Sequence, residues 1–151
     1  MARCIFCDIA RGEAPAYVVY ENSDLLVILD IFPAEKGHLL VMPREHYESV
    51  HDTPPRLTAK VFVTAAALAR IYRERLGAPG VNIITNSGAL AGQVVFHFHV
   101  HVIPRWGQKR GFRALFAGRH HLTGEEAREV LEMLRPHTGI IDEALRMAGL
   151  A

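Results

Sequence analysis

Apolar and polar residues alternate along His97-Phe98-His99-Val100-His101-Val102-Ile103-Pro104, and the residues between the histidines are aromatic or β-branched. A period of two in such residues predicts a strand, placed over 95–103. Side chains at i, i+2 and i+4 share one face of a strand. Three imidazoles would then project from one surface, with Phe98, Val100 and Val102 turned to the other. Aliphatic or β-branched runs bounded by Asp, Gly, Pro or Asn predict further strands over 25–31, 38–42 and 81–85, and another is expected over 17–21. The period changes to 3.6 over 54–76, where Leu57, Val61, Leu68 and Tyr72 make one apolar stripe. Thr53 is the expected cap of that helix, Pro54 suits its first turn, and Gly77 with Pro79 ends it. Thr123-Gly-Glu-Glu126 has capping-box spacing, so a helix should run through Val130, Leu131 and Leu134 until Pro136. A last helix is expected over 140–150.

Clustered strands with few helices favour an antiparallel α+β arrangement over a doubly wound sheet. The expected fold is α+β: a five-stranded antiparallel sheet with one long helix and C-terminal helices. At 151 residues the chain should be one domain burying roughly 70% of its unfolded surface. Its core would span 4–105 and a helical segment 106–151. Half the residues are hydrophobic and 22% charged, an ordinary globular composition. The net charge of +1 gives no reason to expect a nucleic-acid partner. With no apolar run of about eighteen residues and no leader-like amino end, a cytoplasmic protein without a membrane partner is expected.

Imidazole can attack, donate, accept or bind metal near neutral pH, and three on one rigid element favour chemistry over packing. Just upstream, Asn86-Ser87-Gly88-Ala89-Leu90-Ala91-Gly92-Gln93 carries glycines that permit positive φ and close backbone approach to a ligand. Successive amides in such a turn can cradle an anion. Asn86 and Gln93 add side-chain donors, and an attacking nitrogen beyond them would complete a phosphate site. Cys4-Ile-Phe-Cys7 has knuckle spacing; two cysteines make no disulfide framework, so the pair reads as metal-binding or redox-active. No thioredoxin-like βαβ unit follows it, which weakens the redox reading.

The run from His97 to Ile103 resembles the histidine-triad signature. Cys4-Ile-Phe-Cys-Asp-Ile-Ala, Leu29-Asp-Ile-Phe-Pro and Gly37-His-Leu-Leu-Val-Met-Pro43 resemble the upstream blocks of that family in their usual order. The likeness runs from about Cys4 to Arg105 and is nearest to bacterial Hint-like members. It implies cleavage at the α-phosphorus of purine nucleoside phosphoramidates, acyl-adenylates or dinucleoside polyphosphates. The middle histidine, here His99, would carry a transient nucleotidyl group, a division of one hard displacement into two easier ones. His101 matches a ligand of the phosphate oxygens and His38 a supporting histidine. Asn86 and the backbone at Gly92 and Val94 match phosphate or leaving-group contacts. Relatives often carry Ser or Thr where this chain has Val94, so a donor is missing there and Gln93 is the expected substitute. Asp30 matches the acceptor for the ribose hydroxyls, and Ile5, Phe6, Ile9, Ile28, Ile31 and Leu40 match the apolar pocket for the base.

Some bacterial relatives bind zinc through positions that here are Cys4, Cys7, His46 and His97. The resemblance thus implies a structural zinc, with no catalytic metal or organic cofactor, and a two-fold homodimer whose sheets join into one. His51, His120, His121 and His137 are expected to be solvated. Arg105 and Trp106 could reach a polyphosphate tail or a dimer partner, and the basic stretch 109–113 could steer anions. Two other functions remain open on sequence: a nucleotide sensor or scaffold with incidental slow hydrolysis, and a metalloenzyme using His97, His99 and His101 as ligands.

Overall fold

The computed structural model describes residues 3–107 and 119–151; the basic stretch 109–113 lies outside them. Five strands, β1 (Val18–Glu21), β2 (Leu25–Leu29), β3 (Leu39–Pro43), β4 (Gly80–Ile84) and β5 (Val100–Arg105), form one sheet in the order β1-β2-β3-β5-β4. Every neighbouring pair is antiparallel. The expected α+β sheet is therefore what the chain builds.

Cross-strand register sorts the side chains into two faces. Val27 pairs with Val41 and Val41 with Val100, and these join Leu25, Leu29, Leu39 and Val102 in the larger apolar core. That face is covered by α2 (Pro55–Arg70), α3 (Gly124–Leu134) and α4 (Gly139–Met147), whose Val61, Leu68, Ala127, Leu134, Ile141 and Leu145 are buried in it. The stripe read from the sequence lies there, with Val61, Leu68 and Tyr72 fully buried and Leu57 partly so. The opposite face carries the row Ile28, Leu40, His101 and Ile84, each directly across from the next. Its apolar part packs under a short helix, α1 (Ile5–Ala10), through Phe6. A single helical turn and a half offers too little periodicity to be read from sequence, and α1 was not expected.

Element ends differ from expectation for local reasons. β5 begins at Val100 rather than 95. Two steps beyond its last pair with β3, Val41 with Val100, the register would oppose Phe98 to Pro43, and proline has no N–H to extend the ladder there. Phe98 N–H donates instead to Tyr47 O at 2.7 Å. α2 starts at Pro55, and the buried Thr53 hydroxyl donates to Ser49 O rather than capping the helix. A single wide turn over Ile71–Arg75 finishes α2. In α3 only half of the capping box forms: Thr123 Oγ1 accepts from Glu126 N–H, while the Glu126 carboxylate turns to His120.

The β2–β3 connection is clamped from the helical layer. The Tyr72 hydroxyl, wholly buried, donates to the Gly37 carbonyl. Gly37 has φ +92°, and an added Cβ would lie 2.7 Å from that hydroxyl and 3.2 Å from Pro104 Cγ. Gly37→Ala combines a disfavoured backbone with a clash against buried atoms, so it should cost about 2–4 kcal/mol. Urea unfolding should show a lower midpoint at unchanged slope. Arg105 and Trp106 also serve this connection, through the Arg105–Glu35 ion pair at 3.5 Å and Trp106 Nε1–H to Lys36 O at 2.7 Å.

Candidate functional site

The side chains of Phe98, Val100 and Val102 enter the larger core, so His97, His99 and His101 turn to the other face even though the first two precede the strand. The ring centroids of His99 and His101 are 5.1 Å apart, and Phe6 sits edge-on to both His97 and His99. Beyond His101 lies His38, at the entrance to β3, with its ring centroid 5.1 Å away. Asp30, at the end of β2, is tied to His38 by its N–H to the His38 carbonyl at 3.0 Å.

Hydrogen bonds decide where each imidazole keeps its proton. Ala34 N–H donates to His38 Nδ1 at 3.0 Å, so the His38 proton is on Nε2 and is donated to His101 Nδ1 at 2.9 Å. His101 therefore carries its own proton on Nε2. His99 Nδ1–H donates to the His97 carbonyl at 2.7 Å, which leaves a lone pair on His99 Nε2. Thr85 Oγ1 donates to the His99 carbonyl at 2.8 Å and fixes the main chain beneath the ring. One ring thus offers a nucleophilic nitrogen and its neighbour an N–H donor.

Burial keeps these rings neutral. It lowers His99 below the ordinary imidazole range, against an opposing pull from the His97 carbonyl and Asp30. Burial, aided by positive neighbours, takes His101 down to about 3 and His38 down to about 2. An unfolded imidazole titrates near 6.5, so below that pH the unfolded chain binds protons that the folded chain refuses. Stability should be full above about pH 6.5 and fall as pH drops through the interval below it. Each excluded proton contributes a slope of about 1.4 kcal/mol per pH unit. Urea unfolding at stepwise pH between 7 and 4.5 measures this, and a flat profile would contradict it.

The loop before the triad holds both glycines at positive φ, Gly88 at +95° and Gly92 at +97°. Its amides are used differently from expectation. Ala91 and Gln93 N–H donate to Gly88 O, and Gly92 N–H donates to Ala89 O at 3.0 Å. The Gly92 amide is therefore committed to the turn, while the Gly92 carbonyl accepts from Asn86 Nδ2 at 3.4 Å. The Val94 amide enters none of these turn bonds, and the Val94 side chain is largely exposed. Gln93 is buried as the staple of the loop: Nε2 donates to Glu48 O and Val95 O, and Oε1 accepts from Gly88 N–H. A role as substitute donor to a leaving group would break those bonds, which corrects the reading from sequence.

Of the apolar residues expected together, Phe6, Ile9, Ile28 and Leu40 share one cluster on the histidine face. Ile5 does not join them; it lines a separate cleft of about 560 Å³ with Tyr47, Val94, Val95 and Phe96. Ile31 is half exposed beside Phe32 at the mouth of the β2–β3 connection. Three further residues stand at this mouth, Arg119 and Leu122, which sequence reasoning passed over, and His121, which it expected to be solvated and which is exposed. Arg119 Nη2 reaches Asp30 Oδ2 at 3.0 Å, Leu122 N–H bonds Ile31 O at 2.8 Å, and the His121 ring meets Phe32 edge-on at 5.3 Å. They lie beyond Arg105, where the likeness to the family ends, so only coordinates could bring them here.

The four expected metal ligands converge. Cys4 Sγ lies 3.4 Å from His97 Nδ1, Cys7 Sγ lies 3.4 Å from His46 Nδ1 and 3.5 Å from His97 Nδ1, and all four atoms fall within 4.8 Å of one another. Zn–S and Zn–N bonds of about 2.3 and 2.0 Å at tetrahedral angles place sulfur and nitrogen about 3.5 Å apart. His97 Nε2–H donates to Pro43 O at 2.8 Å, so Nδ1 presents its lone pair to the cysteines. Cys7 N–H donates to Cys4 Sγ. The donor set fits tetrahedral zinc with no open position. It also leaves His97 unable to share a metal with His99 and His101, which removes the triad metalloenzyme reading. Asp30, His38 and His101 form a second close group, but their facing atoms already hold one another.

A family model of the HIT domain matches residues 11–108. The chain is 42% identical over 113 residues to the protein named hit of Bacillus subtilis, covering 75% of this chain and 78% of that protein. It is 36% identical over 135 residues to the adenylylsulfatase HINT3 of Arabidopsis thaliana, covering 89% of this chain and 68% of that protein. Among solved structures, a zinc-bound histidine triad family protein from Mycobacterium smegmatis superposes with TM-score 0.77 at 39% identity, over 93% of this chain and 96% of the other.

Proposed function

This chain belongs to the HIT domain family, and from that premise we propose that it is a nucleotide hydrolase or nucleotidyl transferase acting at the α-phosphorus of purine nucleoside phosphoramidates, acyl-adenylates or dinucleoside polyphosphates. The observation that carries the proposal is the hydrogen bond from His99 Nδ1 to the His97 carbonyl, which leaves a lone pair on Nε2 beside the proton-bearing His101. His99 Nε2 attacks phosphorus, a nucleotidyl–nitrogen bond forms, and the bond to the leaving group breaks, its electron pair departing with that group, which takes its proton from solvent. His101 Nε2–H, oriented through Nδ1 by His38, steadies the phosphoryl oxygens as charge gathers on them. Water then attacks the same phosphorus, releases the nucleoside monophosphate and returns the electron pair to His99.

Asp30 accepts the ribose hydroxyls, and the apolar cluster of Phe6, Ile9, Ile28 and Leu40 seats the base. Asn86 and the Val94 amide are the loop's contacts to phosphate or leaving group. Cys4, Cys7, His46 and His97 hold a structural zinc, which ties α1 to the segment that feeds β5. The reading includes one domain over the whole chain and a two-fold homodimer joined at a sheet edge. β4 is an edge of the sheet and shows a half-exposed Ile83, a strand that pairing would protect. No helix among the described residues is long and apolar enough to cross a membrane; the reading includes a cytoplasmic setting. The adenylylsulfatase activity in the name of the Arabidopsis relative is one instance of attack at an adenylate.

Incubation with adenosine 5′-phosphoramidate and with diadenosine polyphosphates tests the proposal. AMP should be released without added divalent cation, and acid-labile nucleotidyl-histidine should be trapped on quenching. Since the lone pair must be unprotonated and burial lowers His99, the acid limb of the rate profile should fall below pH 6.5.

A further inference from the structure

The Asp30 carboxylate is held from two sides. Phe32 N–H donates to Oδ1 at 2.8 Å, and Arg119 Nη2 donates to Oδ2 at 3.0 Å. Arg119 does not reach Asp30 alone: its Nε donates to the Phe32 carbonyl at 2.6 Å, so one planar guanidinium bridges the carboxylate and the peptide two residues on. The segment behind it is anchored by Leu122 N–H to Ile31 O and by His121 against Phe32. An ionised carboxylate has about four acceptor positions, two on each oxygen. The Phe32 amide takes one on Oδ1 and Arg119 takes one on Oδ2. His38 Nε2 lies 3.5 Å from Oδ2, but its proton is directed at His101 instead. One position is left on each oxygen, the number that a vicinal diol needs.

Resting on the assignment of Asp30 to the ribose, we propose that Arg119 is a positioning residue for substrate choice: it fixes the Asp30 carboxylate as a two-point acceptor for a cis-diol, and so sets the preference for ribonucleotides over 2′-deoxyribonucleotides. Asp30 is almost fully buried, and a buried carboxylate without a cationic partner loses both its charge and its fixed orientation. Burial does lift this carboxyl above its usual range, while the Phe32 amide and Arg119 pull against that. Lysine cannot replace the bridge, because a point charge on a flexible stem lacks the fork that spans two acceptors.

The test compares wild type, Arg119→Lys and Arg119→Ala on adenosine 5′-phosphoramidate and its 2′-deoxy analogue, with AMP and 2′-deoxy-AMP binding followed by calorimetry. Wild type should prefer the ribo compound. In Arg119→Ala the ribo substrate should lose about tenfold in kcat/KM, carried mostly by KM, as befits one charge-assisted contact. The deoxy substrate should lose less than about threefold, and Arg119→Lys should fall between. Equal losses on both sugars, or tighter ribonucleotide binding in the variant, would overturn the proposal; the second result would mark Arg119 as a latch that ribose must displace. If Arg119→Ala unfolds early, the calorimetric ratio of AMP to 2′-deoxy-AMP for Arg119→Lys decides alone. Absence of AMP release by wild type defeats the enzymatic reading but leaves the binding ratio to judge Arg119. Absence of nucleotide binding overturns both.

Discussion

Replacement of His99 by alanine is expected to reduce AMP release by well over ~10³-fold while leaving the fold intact. The size of the loss follows from what remains at the site. His101 presents a proton on Nε2 because its Nδ1 accepts from His38, so it cannot offer a lone pair toward phosphorus without reversing the tautomers of two buried rings. The lone pair of His97 is turned to the cysteines and its other nitrogen is bonded to Pro43 O. No other ring can inherit the attack. The ring of His99 is half-buried and packs edge-on to Phe6, so its loss should lower stability by only about 1–2 kcal/mol. Nucleotide binding should persist, since Asp30 and the apolar cluster are untouched. Rapid quench of wild type with radiolabelled substrate should capture a nucleotidyl-protein, and the variant should capture none. Equal turnover by His99→Ala would end the covalent reading outright.

The second large effect is expected at the cysteines. Cys4→Ser or Cys7→Ser, or removal of metal by a strong chelator, should lower the melting temperature by about 12 °C. Metal held at about a thousand times its dissociation constant stabilises by about 4 kcal/mol, and a domain of this size shifts by about 3 °C per kcal/mol. The set of four links the amino-terminal helix, the stretch after β3 and the approach to β5, which are far apart in sequence. Metal analysis should find one zinc per chain in wild type and a sharply reduced content in either variant. A protein purified without zinc, and melting identically with and without chelator, would refute the assignment.

The extent to which this site can be read from the chain varies with the physical signal. The alternation around the triad and the aliphatic runs of β2 and β3 were legible because burial on one or both faces leaves a period in the sequence. The stripe of Val61, Leu68 and Tyr72 was legible for the same reason. Ligand identity at Cys4, Cys7, His46 and His97 came from likeness to a family and is matched by four atoms brought together here. What stayed hidden depends on main-chain geometry. The proton positions of His38, His99 and His101 are decided by Ala34 N–H and by the His97 carbonyl, and nothing in residue type announces either. Gln93 looked like a donor because its side chain is one; its bonds to Gly88, Val95 and the distant Glu48 carbonyl could not be foreseen. Arg119 and His121 lie about ninety residues beyond the loop they touch, with no periodic pattern between to aim them.

The ladder between β3 and β5 stops at Val41 and Val100, short of the first two histidines and of a proline that has no hydrogen to give. Had it zipped onward, the peptide groups around His97 would have been drawn into rungs with the adjoining strand. Instead, the unzipped stretch lends one carbonyl to a neighbouring imidazole and so selects which edge of that ring is basic. Anyone transplanting the three histidines onto a longer, better-paired hairpin would copy the rings and forfeit the reactivity.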